Sequence, residues 1–139
     1  MTAPFRSLAA GVFAILLSGN VLADSAAAGR YYEDGLKRFE ARDVTGAIIQ
    51  LKNALQEDRG MLAAHLLLAR AYLDQGDVGP AEVAFREASR LGVNRAEVAV
   101  PMARIYLLQG RPKVLLDTVS AEGLPPAVRL QVLTLRGSA

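Results

Sequence analysis

Small residues recur every 34 positions along this chain. Gly35, Ala69, Ala103 and Gly137 form a ladder of three successive steps. Ala47 and Ala54 return as Ala81 and Ala88, Asp43 as Asp77, Gly76 as Gly110 and Tyr72 as Tyr106. A fixed period of this length describes one supersecondary unit stacked on copies of itself. Each unit then buries its apolar face against its neighbours rather than in a single central core. The chain of 139 residues has room for a few such units. Its apolar content of 52% and charged content of 22% are those of a folded protein, not a disordered one.

A period of 34 with this content resembles the tetratricopeptide repeat, two antiparallel helices per unit. The resemblance implies an all-α fold, an α-solenoid of helix-turn-helix repeats wound as a right-handed superhelix. With position 1 at Ala28, the units are 28–61, 62–95 and 96–129, with a partial fourth at 130–139. Unit two follows the family pattern most fully, with Ala69, Tyr72, Gly76-Asp77, Ala81, Phe85 and Ala88. Unit one supplies Tyr31, Gly35, Asp43, Ala47 and Ala54. Unit three supplies Ala103, Tyr106 and Gly110, then departs, with Leu115 and Glu122 where the others carry alanine. Positions 4, 8 and 11 share one helix face, and positions 20, 24 and 27 share another. Small residues at 8 and 20 let the two helices approach, and aromatics fill the groove between turns. Gly-Asp between them ends one helix and caps the next. The expected helices are 28–41, 45–57, 62–74, 79–91, 97–108, 112–119 and 127–136. Pro101 predicts a helix that starts near Val100 or kinks there.

The first 23 residues read as a secretory signal. Arg6 supplies the positive start, Leu8 to Leu17 is an uncharged apolar run, and Val21-Leu22-Ala23 precedes Asp24. Cleavage is expected between Ala23 and Asp24, with an uncleaved signal anchor as the alternative reading. The run is shorter than the roughly 20 residues a membrane span needs. Leu17-Ser18-Gly19 is the triplet that precedes a lipidated cysteine in bacterial lipoproteins, but Asn20 follows it. A thioether-linked lipid needs sulfur, so export is expected without a lipid anchor at that position. After cleavage no transmembrane domain is expected.

Little in the chain suggests catalysis. It has no cysteine and one histidine, which removes thiol nucleophiles, disulfides and cysteine-ligated metals. His65 stands at position 4 of unit two, where a packed structural role is expected. Glu33-Asp34, Glu57-Asp58 and the pair Asp74 and Asp77 fall on helix surfaces or turns, not as opposed carboxyls across a cleft. Gly76 and Gly79 follow no strand, so they make no phosphate loop. Sixteen Lys and Arg against fourteen Asp and Glu leave only +2, scattered along the chain, so no nucleic-acid partner is expected. No catalytic residue, metal or cofactor is expected.

What remains is a surface. In tetratricopeptide arrays the first helices line a concave groove through positions 2, 5, 9, 12 and 13. By register, unit one places Gly29, Tyr32, Leu36, Phe39 and Glu40 there. Unit two places Ala63, Leu66, Arg70, Leu73 and Asp74, and unit three Glu97, Val100, Arg104, Leu107 and Leu108. Positions 5 and 12 are apolar in every unit, and Arg70 and Arg104 stack at position 9. Such a strip suits a peptide or helix, with arginine pairing a carboxylate. The same strip also suits packing against further repeats of the same chain.

Several stretches narrow the resemblance. They are Tyr31-Tyr32-x-x-Gly35-Leu36, the run from Gly46 to Gln56 (GAIIQLKNALQ), and Leu66 to Leu73 with Gly76-Asp77 following. Together they resemble exported tetratricopeptide-repeat lipoproteins associated with PEP-CTERM/exosortase sorting and exopolysaccharide production in Gram-negative bacteria. The resemblance implies a non-enzymatic scaffold in the periplasm that binds a protein or peptide of the cell envelope. It also implies a longer protein with more repeats, of which this chain is the N-terminal part. Two alternatives stand beside it: a structural segment whose solenoid binds partners downstream, and a polysaccharide-export or polysaccharide-binding component.

Overall fold

The computed structural model describes the backbone from Ile15 and the side chains from Ser25 to Ala139. The start of the expected signal lies outside the described residues. Over the described residues the chain forms seven helices and no strand. They are α1 (Ile15–Glu40), α2 (Val44–Glu57), α3 (Leu62–Gln75), α4 (Val78–Arg90), α5 (Arg95–Leu108), α6 (Pro112–Thr118) and α7 (Pro126–Gly137). Helices adjacent in sequence are adjacent in space, and α5 also packs on α7. The result is a helical repeat solenoid. The expected ends of α2 to α7 lie within two residues of those observed. The first helix differs: it begins at Ile15, upstream of Ala28, so its backbone runs through Ala23 and Asp24. Leucine and alanine dominate this stretch and no proline interrupts it, which favours helix.

The turn between paired helices repeats atom for atom. The amides of Arg42, Gly76 and Gly110 donate to the carbonyls of Phe39, Leu73 and Leu107 at 3.0, 3.1 and 3.0 Å. The next amides, of Asp43, Asp77 and Arg111, donate to Arg38, Tyr72 and Tyr106 at 2.9, 2.9 and 2.8 Å. Both sets step by 34 residues. This is a left-handed helix stop, and φ is 65°, 89° and 65° at Arg42, Gly76 and Gly110. The expected acidic cap forms only in the first turn, where Asp43 accepts from the Gly46 amide at 2.9 Å. Asp77 occupies the same place without a side-chain cap bond, and Arg111 has no side-chain acceptor to offer there.

Small residues sit where helices cross. Ala69 and Ala103 on the first helices, and Ala47, Ala54, Ala81 and Ala88 on the second, are fully buried. Gly35 shows why: a Cβ there would lie 3.0 Å from Leu51 Cγ. Leu51, Phe85, Ile105 and Leu115 are among the large side chains sealed between helices. Three apolar clusters result, and shared neighbours join them, Tyr72 between the first two and Met102 between the last two. The aromatic at position 4 is not sealed in unit one, where Tyr31 is 38% exposed. Among the described residues α1 packs only on α2 and α3, and nothing covers that face.

Pro101 does not set the start of α5. Asn94 Oδ1 accepts from the Ala96 amide at 2.9 Å, so the helix begins six residues earlier, at Arg95. Proline inside a helix forfeits one backbone bond at a cost of about 3 kcal/mol. The burial of Val98, Ala99, Ala103, Ile105 and Tyr106 along α5 offsets that loss.

Candidate functional site

The first helices of successive pairs form one face. α1 touches α3 and α5 touches α7. Arg70 Nη2 on α3 donates to Glu97 Oε2 on α5 at 3.3 Å, across the intervening turn of the solenoid. The residues expected to line the groove divide by burial. Arg70 and Arg104 are exposed, while Tyr32, Leu36, Phe39, Leu73, Val100 and Leu107 are half-buried. Each half-buried side chain gives one flank to a core cluster and leaves the other accessible. Leu66 is different. It is only 9% exposed and belongs to the cluster with Ala69, Phe85 and Val98, so it serves the core more than the groove. Leu108 is the most open apolar residue of this set, at 69% exposure. The groove is therefore apolar along its floor, with one neutralised and one open arginine. Beside Arg104 lies an open cavity of about 270 Å³, walled on its far side by α7.

His65 has a structural place. It is half-buried, and its Nε2 lies 2.9 Å from the Arg59 carbonyl, so the Nε2-protonated tautomer ties α3 to the turn before it. It also lines a cleft of about 420 Å³ on the opposite face, with Lys52, Tyr72 and Glu87. Arg38 bonds Asp34 and Asp43, both at 2.9 Å, which links α1 to the cap of α2. The Asp43 carboxyl is held below the ordinary range by the Gly46 amide first and by Arg38 second. These acids serve turns and helix ends. Among the described residues no three of His, Cys, Asp and Glu gather as a metal site. No described helix is long and apolar enough to cross a membrane.

One polar cluster escapes a reading of the chain by residue type. Glu82 is 7% exposed on α4. Its carboxylate accepts from Arg86 at 2.7 Å, from Arg111 at 3.0 Å and from Gln109 at 3.0 Å. The Arg111 guanidinium also lies over the Tyr106 ring, 5.2 Å from its centre. Burial pushes the Glu82 carboxyl upward, but Gln109, Arg86 and Arg111 outweigh it and hold the group low. The register held a signal for this. Glu82 stands 34 residues after Ile48, which is itself buried. Arg111 stands where Asp43 and Asp77 begin their helices. The cluster clasps α4 to the end of α5, as Arg70 and Glu97 clasp α3 to its start. Among the described residues, both ion pairs between residues far apart in sequence thus cross the same joint.

The model of the tetratricopeptide repeat family matches residues 38–105, from the last turn of α1 into α5. No curated protein matches the chain. The family match and the paired helices, with turn geometry that repeats every 34 residues, support this chain as a tetratricopeptide-repeat protein.

Proposed function

We propose that the chain is a non-catalytic scaffold of the bacterial cell envelope, whose concave face holds a segment of a partner protein. Tetratricopeptide repeats suggest protein–protein interaction in general. The observation that carries the reading here is the half-open apolar strip. A solenoid core has no need to leave Tyr32, Phe39, Leu73, Val100 and Leu107 accessible on one face while their opposite flanks are packed. The signal pattern over residues 1–23 supports a site of work outside the cytoplasm, in the periplasm. The resemblance of the run from Gly46 to Gln56 to exported tetratricopeptide proteins links it to PEP-CTERM/exosortase sorting and exopolysaccharide production.

Two measurements on cells test location and partnership. Mass spectrometry of the mature N-terminus is expected to find Asp24 first; an intact Met1 contradicts export by cleavage. Photo-cross-linking from position 107 is expected to trap a component of the sorting or exopolysaccharide machinery. Products confined to unrelated proteins contradict that link.

A second reading is favoured by α7. Leu130 and Leu133 are 66% and 52% exposed on one side of that helix, and a Cβ at Gly137 meets nothing within 4 Å. Gly137 continues the ladder on which Gly35 receives α2. In this reading the face of α7 seats a further helix of the same array, and the repeats described here are mainly structural. Disruption of the concave strip then leaves partner binding unchanged.

A further inference from the structure

On successive first helices, two couples of residues 27 apart come together in the structure, and a third stands at the same offset in the sequence. Leu36 has Ala63 at that offset, Arg70 has Glu97 and Arg104 has Gln131. The middle couple is the 3.3 Å ion pair between α3 and α5. The last couple lies together in the open cavity between α5 and α7, with Leu130, Thr134 and Leu135. Glutamine is an amide and leaves the guanidinium charge standing. Among the described residues no carboxylate pairs with Arg104. The surrounding charge agrees. From Ala96 to Ala139 five Lys and Arg face three Asp and Glu, whereas from Ala28 to Arg95 ten face ten. The third unit and α7 therefore carry a positive surplus that the first two units lack.

We propose that Arg104 anchors a carboxylate side chain of the partner segment, with the apolar neighbours of that acid resting on Leu107, Leu130 and Leu135. The proposal rests on the groove reading above and specifies its ligand as an acidic, apolar-flanked peptide. Arginine suits this task because its planar fork pairs both oxygens of a carboxylate. Arg70 does not compete for the acid, since Glu97 already holds it.

Phage-displayed nine-residue peptides selected on the full chain test the idea. Selected peptides are expected to carry Asp or Glu between apolar residues. Affinity is expected to fall about tenfold in Arg104→Gln, consistent with the loss of one charge-assisted bond. It is expected to stay within twofold in Arg70→Gln. Gln131→Glu supplies the missing carboxylate in place and is expected to weaken the same peptides without touching the fold. Peptides that bind equally well to Arg104→Gln and Gln131→Glu but are lost in Leu108→Asp overturn the anchor and leave the groove standing. Peptides indifferent to all of these variants, or no selected peptides at all, overturn both. Equal displacement by a single-stranded oligonucleotide shows general anion attraction and also overturns the anchor.

Discussion

Arg42 holds φ at 65° where the later turns place Gly76 and Gly110. A side chain in this left-handed region costs about 1 kcal/mol or more, which glycine avoids. Arg42 is exposed and forms none of the ion pairs described, so little is lost with its side chain. Arg42→Gly is expected to raise unfolding stability by about 0.5–1 kcal/mol in urea titrations; a loss of stability contradicts the register of the turn. The residue type gives no hint of the strain. The 34-residue step from Gly76 does, since a backbone that repeats must repeat its left-handed position. Glu82 teaches the same lesson. A glutamate on a helix reads as solvated, yet its register partner is the buried Ile48. Leu66 shows where register stops short, because it shares position 5 with the half-open Tyr32 and Val100 yet is sealed among Ala69, Phe85 and Val98.

At the scale of helices, the joint between the pair α3–α4 and the pair α5–α6 differs from the one before it. α2 meets α3 along more of its length than α4 meets α5. The weaker joint carries the two ionic clasps, Arg70 with Glu97 and Glu82 with Arg111. A carboxyl held low in the folded state adds stability above its free value near 4.5, and that contribution is lost as pH falls through the lower folded value. Unfolding midpoints are therefore expected to fall between pH 7 and pH 3 by more in the parent than in Glu82→Gln. At pH 7 the variant is expected to be less stable by about 1–2 kcal/mol, a modest figure because solvent screens the arginine partners. Parallel acid profiles for the two proteins contradict a role for this carboxylate. The ends of α2 to α7 were readable from periodicity and turn residues. The upstream extension of α1 was not, because a signal-like run and a helix share the same leucine and alanine content.

Over the whole molecule, the period of 34 implies both a stack of helix pairs and two distinct faces. One face is built from α1, α3, α5 and α7, and the other carries the exposed Ile49 and Val83 of α2 and α4. The choice of face for partner binding was legible only as a register, through positions 5, 9 and 12. Which of those side chains stay open depends on packing between units, which no single unit encodes. The central claim is that the first face holds the partner. Leu108 is 69% exposed on it, and Val83 is 69% exposed on the other, so neither substitution opens the core. The decisive measurement is the affinity of a bound partner segment for the parent chain, Leu108→Asp and Val83→Asp, each first shown by circular dichroism to melt like the parent. The predicted result is a loss of about tenfold or more in Leu108→Asp with Val83→Asp unchanged. Full affinity in Leu108→Asp, with loss in Val83→Asp, contradicts the account.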